Sequence, residues 1–225
     1  MNNNIKNQTV IIPSFWIPIR RVLLSFVFLA FYLLILGIFF TLFTLNTDYL
    51  LGLILLVMAF TFFVNGMSFL GKIGSKFAGF LNLLAAIFVL LPALQLYFFD
   101  VTIFLVLIVA FSLLFLMFAG IEFQLYVAEG LGWYCLFAFI VFIWYGYHFF
   151  SLTQAVPAIA GVKWFGVFCL AWALLVIIAF LALSMGKPIA TTVGWLFIIE
   201  AILTLLIPGM ILLTDKWNPL GGVPG

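Results

Sequence analysis

Apolar positions in this chain neither alternate nor fall into narrow stripes. They come in unbroken runs of about twenty, separated by short clusters of charged residues, Gly and Pro. Seven runs can be read: Val22–Leu45, Tyr49–Leu70, Phe77–Phe99, Val101–Ile121, Leu131–Leu152, Trp164–Met185 and Ile189–Leu213. About twenty apolar residues in a helix cross the hydrocarbon core of a bilayer. The pattern therefore predicts an all-α polytopic membrane protein with seven transmembrane helices. Gly71-Lys72 to Lys76, Phe99-Asp100, Glu122 to Gly130, Thr153 to Lys163 and Gly186-Lys187-Pro188 each supply turn or charged residues where the chain must reverse. At Asp100 almost no loop remains, so the two spans it joins are expected to be antiparallel neighbours.

The first run is too long for a secretory signal and leaves through Asn46-Thr47-Asp48 rather than through small residues. It reads as an uncleaved span. Residues 1–21, with Pro13, Trp16 and Pro18 ahead of Arg20-Arg21, then form a cytoplasmic or interfacial tail. Residues 22–45 form an added N-terminal helix, 49–213 a six-helix bundle and 214–225 an external tail. On the first helix Ala30, Gly37, Thr41 and Thr44 fall near one stripe suited to close helix packing, with the phenylalanines spread over the rest.

With only 6% of residues charged in a chain of 225, no separate aqueous domain is expected. The charges are dispersed, which excludes a nucleic-acid surface, and lipid is the implied surrounding. Counted on alternate sides, Lys6, Arg20, Arg21, Lys72, Lys76 and Lys187 face Lys163 and Lys216. The positive-inside rule places the N-terminus in the cytoplasm and the C-terminus outside. Two distant cysteines, Cys135 and Cys169, and one histidine form neither a metal set nor a disulfide framework, so two free thiols and no cofactor are expected. Gly71-Lys72, Pro92 and Asp100 recur in order as Gly186-Lys187, Pro208 and Asp215. This fits either a duplicated hairpin or the ordinary reuse of turn and kink residues.

Polar residues at membrane depth carry the candidate chemistry. A carboxylate at a helix centre costs roughly 2.5–3.5 kcal/mol on insertion scales, so Glu200 is expected to face the protein interior or a water-filled path. Thr204 lies one turn further on the same face. Asn65 and Asn82 read either as interhelical glue or as path-lining groups. Phe165, Cys169, Trp172 and Val176 form a helical stripe that reads as packing or as a site. His148 sits among Trp144, Tyr145 and Tyr147 in an aromatic belt. Glu122 and Glu129, seven apart, are able to share a helical face and bind a cation, against the reading of a solvated loop. No nucleophile and base stand together, so the protein reads as no enzyme.

From Leu50 onward the chain resembles the AmiS/UreI family of urea and short-chain-amide channels. The resemblance rests on Leu51 to Asn65-Gly66, Lys72, Lys76 and Asn82. It continues through Trp133-Tyr134, Leu136-Phe137 and Leu170-Ala171-Trp172, then Gly186-Lys187, Trp195-Leu196, Ile198-Ile199-Glu200, Ile202-Leu203-Thr204, Ile207-Pro208 and Lys216-Trp217. It implies a twisted six-helix bundle entered from outside, one narrow aromatic-lined pore per protomer and a hexameric ring. It also gives the residue at Glu200 an important part in transport. Three departures stand out. Cys169 and Val176 replace tryptophans of the urea channels, Phe115, Met117 and Phe118 replace a Tyr-rich helix end, and the outer loop at Asp100 is too short for an acid gate.

Two functions follow. One is a passive channel for urea or small neutral amides, its path expected at Asn65, Asn82, Phe165, Trp172, Glu200 and Thr204. The other is a non-transporting accessory subunit of a larger membrane complex, docked through the added helix. If the chain conducts urea, flux is expected to change little between external pH of about 5 and about 7.5, the range in which an unperturbed histidine titrates. Stopped-flow uptake at the two pH values checks this, and a steep rise on acidification that disappears in His148→Ala overturns it.

Overall fold

The computed structural model describes residues 47–98, 104–125, 127–155, 161–214, 216, 217 and 219. The predicted tail, the helix at 22–45 with its small-residue stripe, and the turn at Asp100 lie outside these residues, as does most of the tail at 214–225. The described part is helical. Its elements are α1 (Thr47–Phe69), α2 (Ser75–Phe98), α3 (Leu105–Glu122), α4 (Ala128–Ala155), α5 (Lys163–Leu183) and α6 (Ala190–Glu200). The last span continues through a π-helical turn (Ala201–Leu206) into α7 (Ile207–Leu213). Five of these spans are long and apolar enough to cross a membrane, and α2 is apolar over Ser75–Leu91.

Each span packs against its neighbours in sequence, and α1 packs along the whole of the last span, through α6, the π turn and α7. The six spans therefore form a closed ring. Phe60, Phe80, Leu113, Phe137, Leu174, Trp195 and Met210 point outward from it, while Phe62, Phe111, Phe115, Phe142, Phe149 and Phe197 are buried. An apolar exterior and an apolar interior are what lipid on one side and packing on the other select.

The seam that closes the ring depends on glycine. A Cβ placed on Gly66 would lie 2.6 Å from the Gly194 carbonyl oxygen, and one on Gly194 would lie 3.0 Å from that of Gly66. Gly52 and Gly209 repeat the arrangement at 3.1 Å in both directions. At Gly66 only hydrogen fits, and at Gly52 and Gly209 a side chain would force the facing backbone to give by a few tenths of an ångström. The two contacts are 14 residues apart on α1 but 15 apart on the last span. The π turn lies between Gly194 and Gly209 and takes up the additional residue, so both glycines stay on the seam.

That turn has a local cause. Pro208 has no N–H, and its ring crowds the carbonyl four residues earlier, at Thr204. Just before it, the Ile207 N–H bonds to the Ile202 carbonyl five residues back, which is the π pattern. The interior proline expected to kink the last span therefore stands at the start of a new α-helical segment. Pro92, by contrast, lies within the continuous helix Ser75–Phe98, so the suggested repeat does not extend to its prolines. The repeated glycines do match, with φ of 68° at Gly71 and 62° at Gly186. Each allows the left-handed turn that ends its helix before Lys72 or Lys187.

Two sequence expectations need correction. Glu122 ends α3 and Glu129 begins α4, so they share no helical face. Glu122 is half-buried and accepts a hydrogen bond from Ser68 Oγ at 2.8 Å, which also removes it from a solvated loop. Gly66→Ala is expected to cost about 2 kcal/mol or more, because the new methyl meets backbone rather than a movable side chain. Gly130→Ala, with open space around it, is expected to be neutral or stabilising by up to about 1 kcal/mol. Thermal midpoints of the two purified variants against the unaltered protein check the contrast.

Candidate functional site

The interior of the ring is filled by aromatic rings from neighbouring and from non-adjacent spans. In the layer nearest the turns bearing Lys72 and Lys187, Phe69 stacks on Phe197 at 5.7 Å, and Phe118 meets both, at 5.6 Å from Phe197 and 6.1 Å from Phe69. In the next layer Phe62 of α1 contacts Phe111, Phe115 and Phe197 at 5.9, 6.1 and 5.1 Å. Phe111 in turn meets Trp172 edge-on at 4.8 Å and Phe142 at 5.2 Å. At the far end Phe104 meets Phe165 at 4.8 Å and Phe149 at 5.4 Å, and Phe165 stacks on Trp217 at 5.4 Å. Edge-to-face pairs of this kind contribute about 0.5–1.5 kcal/mol each beyond the area they bury.

The cavities on this axis are unequal. A space of about 290 Å³ opens at the Lys-bearing end, lined by Ser68, Phe69, Phe118, Ile121, Glu122, Ala128, Leu131 and Leu183. Toward the other end lies a void of only about 30 Å³, with Met58, Phe104, Phe111, Phe165 and Trp172 in its wall. The narrow axial passage expected from sequence is thus closed by rings between these two spaces. Phe165, Cys169, Trp172 and Val176 are all buried, and both cysteines are free thiols.

The polar residues at membrane depth fall into two groups. Asn65 and Asn82, at most 1% exposed, pair reciprocally across α1 and α2. Asn82 Nδ2 donates to Asn65 Oδ1 at 2.6 Å and to the Ala78 carbonyl at 2.9 Å, and Asn65 Nδ2 donates to Asn82 Oδ1 at 3.1 Å. The two amides bond reciprocally between spans, which is the arrangement of the glue reading.

The second group joins α5 to the last span. Trp172 Nε1 donates to Thr204 Oγ1 at 2.8 Å, and that hydroxyl donates to the main-chain carbonyl of Glu200 at 2.8 Å. Thr204 was expected on the face of Glu200, and it reaches the backbone there. Glu200 is 7% exposed, and among the described residues its buried Oε2 has no hydrogen-bond partner. An acceptor left open at such depth needs an explanation, since an unmet buried polar atom costs about 1–3 kcal/mol and more if charged. Among the described residues no hydrogen bond links this group to the asparagine pair.

Sequence reasoning did not anticipate Phe62, Phe69, Phe111, Phe142 and Phe197 on the axis, nor the bond from Ser68 to Glu122. Phe62 and Phe69 are two turns apart on one face, but in a chain with 30 phenylalanines such a spacing singles out nothing. His148 stacks on Trp144 at 5.2 Å and 9° within the expected belt.

The amide pair yields a test of its own. Asn65→Leu and Asn82→Leu are each expected to destabilise by about 1–3 kcal/mol, while the double variant costs less than the sum. Additive losses of thermal stability would show that the two side chains do not depend on each other.

With this geometry in place, comparisons with known proteins locate the chain. The family model "AmiS/UreI family transporter" matches residues 50–216. A protein of Mycolicibacterium smegmatis described as a putative amidate substrates transporter is 34% identical over 91 residues, covering 40% of this chain and 39% of that relative. The chain's match therefore spans about two fifths of that relative's length. Among solved structures, the crystal structure of the urea channel from the human gastric pathogen Helicobacter pylori matches with a TM-score of 0.64 at 22% identity. It covers 75% of this chain and 99% of the channel. The cryo-electron-microscopy structure of the Helicobacter pylori urea channel in a closed state matches with a TM-score of 0.53 at 23% identity, over 75% of this chain and all of that one. At these identities the structures show a shared fold. The chain belongs to the AmiS/UreI family and is a multi-pass membrane protein.

Proposed function

We propose that this member of the AmiS/UreI family is a passive channel for urea or small neutral amides, with the permeant moving along the ring axis past Trp172, Thr204 and Glu200. The observation that carries the reading is the open Glu200 Oε2, a buried acceptor on the last span one turn before Thr204, the hydroxyl that receives Trp172 Nε1. A flat neutral amide presents N–H groups to such an oxygen and its faces to aromatic rings, and it sheds little hydration on entry. Ions lose far more. Family membership and the urea channel fold support the same permeant class.

In this proposal the aromatic layers are a gate that must part for passage. Phe165 and Trp172 line the narrow void beyond them, and Asn65 with Asn82 fix the first two spans rather than bind the permeant. The end bearing Lys72, Lys76 and Lys187 faces the cytoplasm by the positive-inside rule. Assembly as a homo-oligomer, a hexamer by the family resemblance, belongs to the same proposal, as does an N-terminal span outside the bundle at 22–45.

A second reading has one observation in its favour. The ring contacts across the axis leave only about 30 Å³ free beyond them, which suits an accessory subunit that kept the fold and lost the path. Reconstitution separates the two. Proteoliposomes holding the protein are expected to take up urea and acetamide faster than empty ones, and equal rates would favour the accessory reading. Glu200→Gln keeps the shape and one acceptor but removes the charge, so urea flux is expected to fall about tenfold, equivalent to about 1.4 kcal/mol, with thermal stability retained. Unchanged flux in that variant would remove Glu200 from the path.

A further inference from the structure

The Lys-bearing mouth of the ring holds a second carboxylate that the reading above does not use. Glu122, at the end of α3, forms part of the wall of the 290 Å³ space. It is held in two ways. Ser68 of α1 donates to its Oε1 at 2.8 Å, reaching past α2 to a span that α1 does not adjoin in the ring. Behind it, a Cβ on Gly79 of α2 would lie 3.0 Å from Glu122 Cβ, so the stem rests against a stretch of helix that carries no side chain. Among the described residues its only hydrogen-bond partner is Ser68.

An ionised carboxylate offers about four lone-pair sites, so one bond from Ser68 orients the group and leaves most of its capacity free. Deeper in the same space lie Phe69 and Phe118, both in contact with Phe197, the first layer of the aromatic column. The mouth thus combines a fixed acceptor with flat aromatic surface. Its remaining wall, Ile121, Ala128, Leu131 and Leu183, adds apolar surface.

We propose that Glu122, positioned by Ser68, is a recognition subsite at this mouth for planar N–H donors, both neutral amides and their cationic isosteres. The inference rests on the channel reading. A planar molecule with two N–H groups on one edge bonds to the carboxylate while its face lies on the rings. A guanidinium ion makes the same contacts with charge assistance and two parallel bonds. It therefore binds this subsite more tightly than urea. The closed aromatic layers beyond it oppose a charged ion, so the cation occupies the mouth and blocks it.

Urea uptake into proteoliposomes, measured with millimolar guanidinium chloride on both sides against sodium chloride at equal ionic strength, tests this. In the unaltered protein guanidinium is expected to inhibit urea flux. Glu122→Gln is expected to raise the half-inhibiting concentration at least tenfold and Glu122→Asp to raise it less. Ser68→Ala, which loosens the carboxylate without removing it, is expected to raise it about threefold. Should Glu122→Gln fail to fold, the shift in Ser68→Ala decides. Absent urea flux in the unaltered protein would overturn the channel reading and this one with it. Flux that guanidinium does not inhibit, or inhibition unchanged in these variants, would overturn the subsite alone.

Discussion

The structure depends on the close approach of α1 and the last span. Lipid is as apolar as the helices it surrounds, so association within the bilayer draws on van der Waals contact, and contact at this range requires the absence of side chains. Gly66 against Gly194 and Gly52 against Gly209 provide it at both ends of the seam. Every other neighbouring pair of spans in the ring is joined by a short connection, whereas these two are the first and last of the six. The contact between these two spans is what closes the ring.

A ring closed this tightly has little space at its centre, and large residues fill it. Phe62, Phe111, Phe115, Phe142, Phe197 and Trp172 meet in the interior at ring separations of 4.8 to 6.3 Å. Rings that meet edge-on have few hydrogen bonds to lose when they turn aside, so a column of phenylalanine can close a path without locking it. A hydroxyl-bearing column would add directional bonds.

Much of the fold was legible in the sequence because span length and punctuation are first-order signals. The six described spans begin and end within a few residues of the runs read from hydropathy, since a helix in lipid must extend until water or headgroups satisfy its ends. Val101, where the fourth run was read to begin, lies outside the described residues. The partners of the polar residues were less legible. Glu200 and Thr204 share a face by spacing alone, but pairing of Asn65 with Asn82, or of Ser68 with Glu122, depends on how two spans rotate about their axes. A chain that is apolar on all sides carries no periodicity to fix that rotation. The glycines held part of the missing information, because a residue tolerated for close approach marks the face turned to a neighbour. They became readable only in pairs, once the partner helix was known. The π turn was hidden for the same reason: Pro208 announces a disturbance, but the extra residue it accommodates is apparent only when 15 positions on one helix are set against 14 on the other.

The contrast between the two buried polar groups follows from this geometry. Asn65 and Asn82 carry both donors and acceptors, so two amides facing each other can exchange hydrogen bonds, and Asn82 adds one to the Ala78 carbonyl. A carboxylate has only acceptors when ionised, and among the described residues Glu200 Oε2 has no hydrogen-bond partner. Nearby donors are already engaged: Trp172 Nε1 bonds to Thr204, and the Thr204 hydroxyl turns to the Glu200 main chain at the entry to the π turn. The same distortion that keeps Gly209 on the seam thus lies beside the hydroxyl that receives Trp172. Closure of the ring and placement of the open acceptor are set by one irregular stretch of the last span, Glu200 to Pro208.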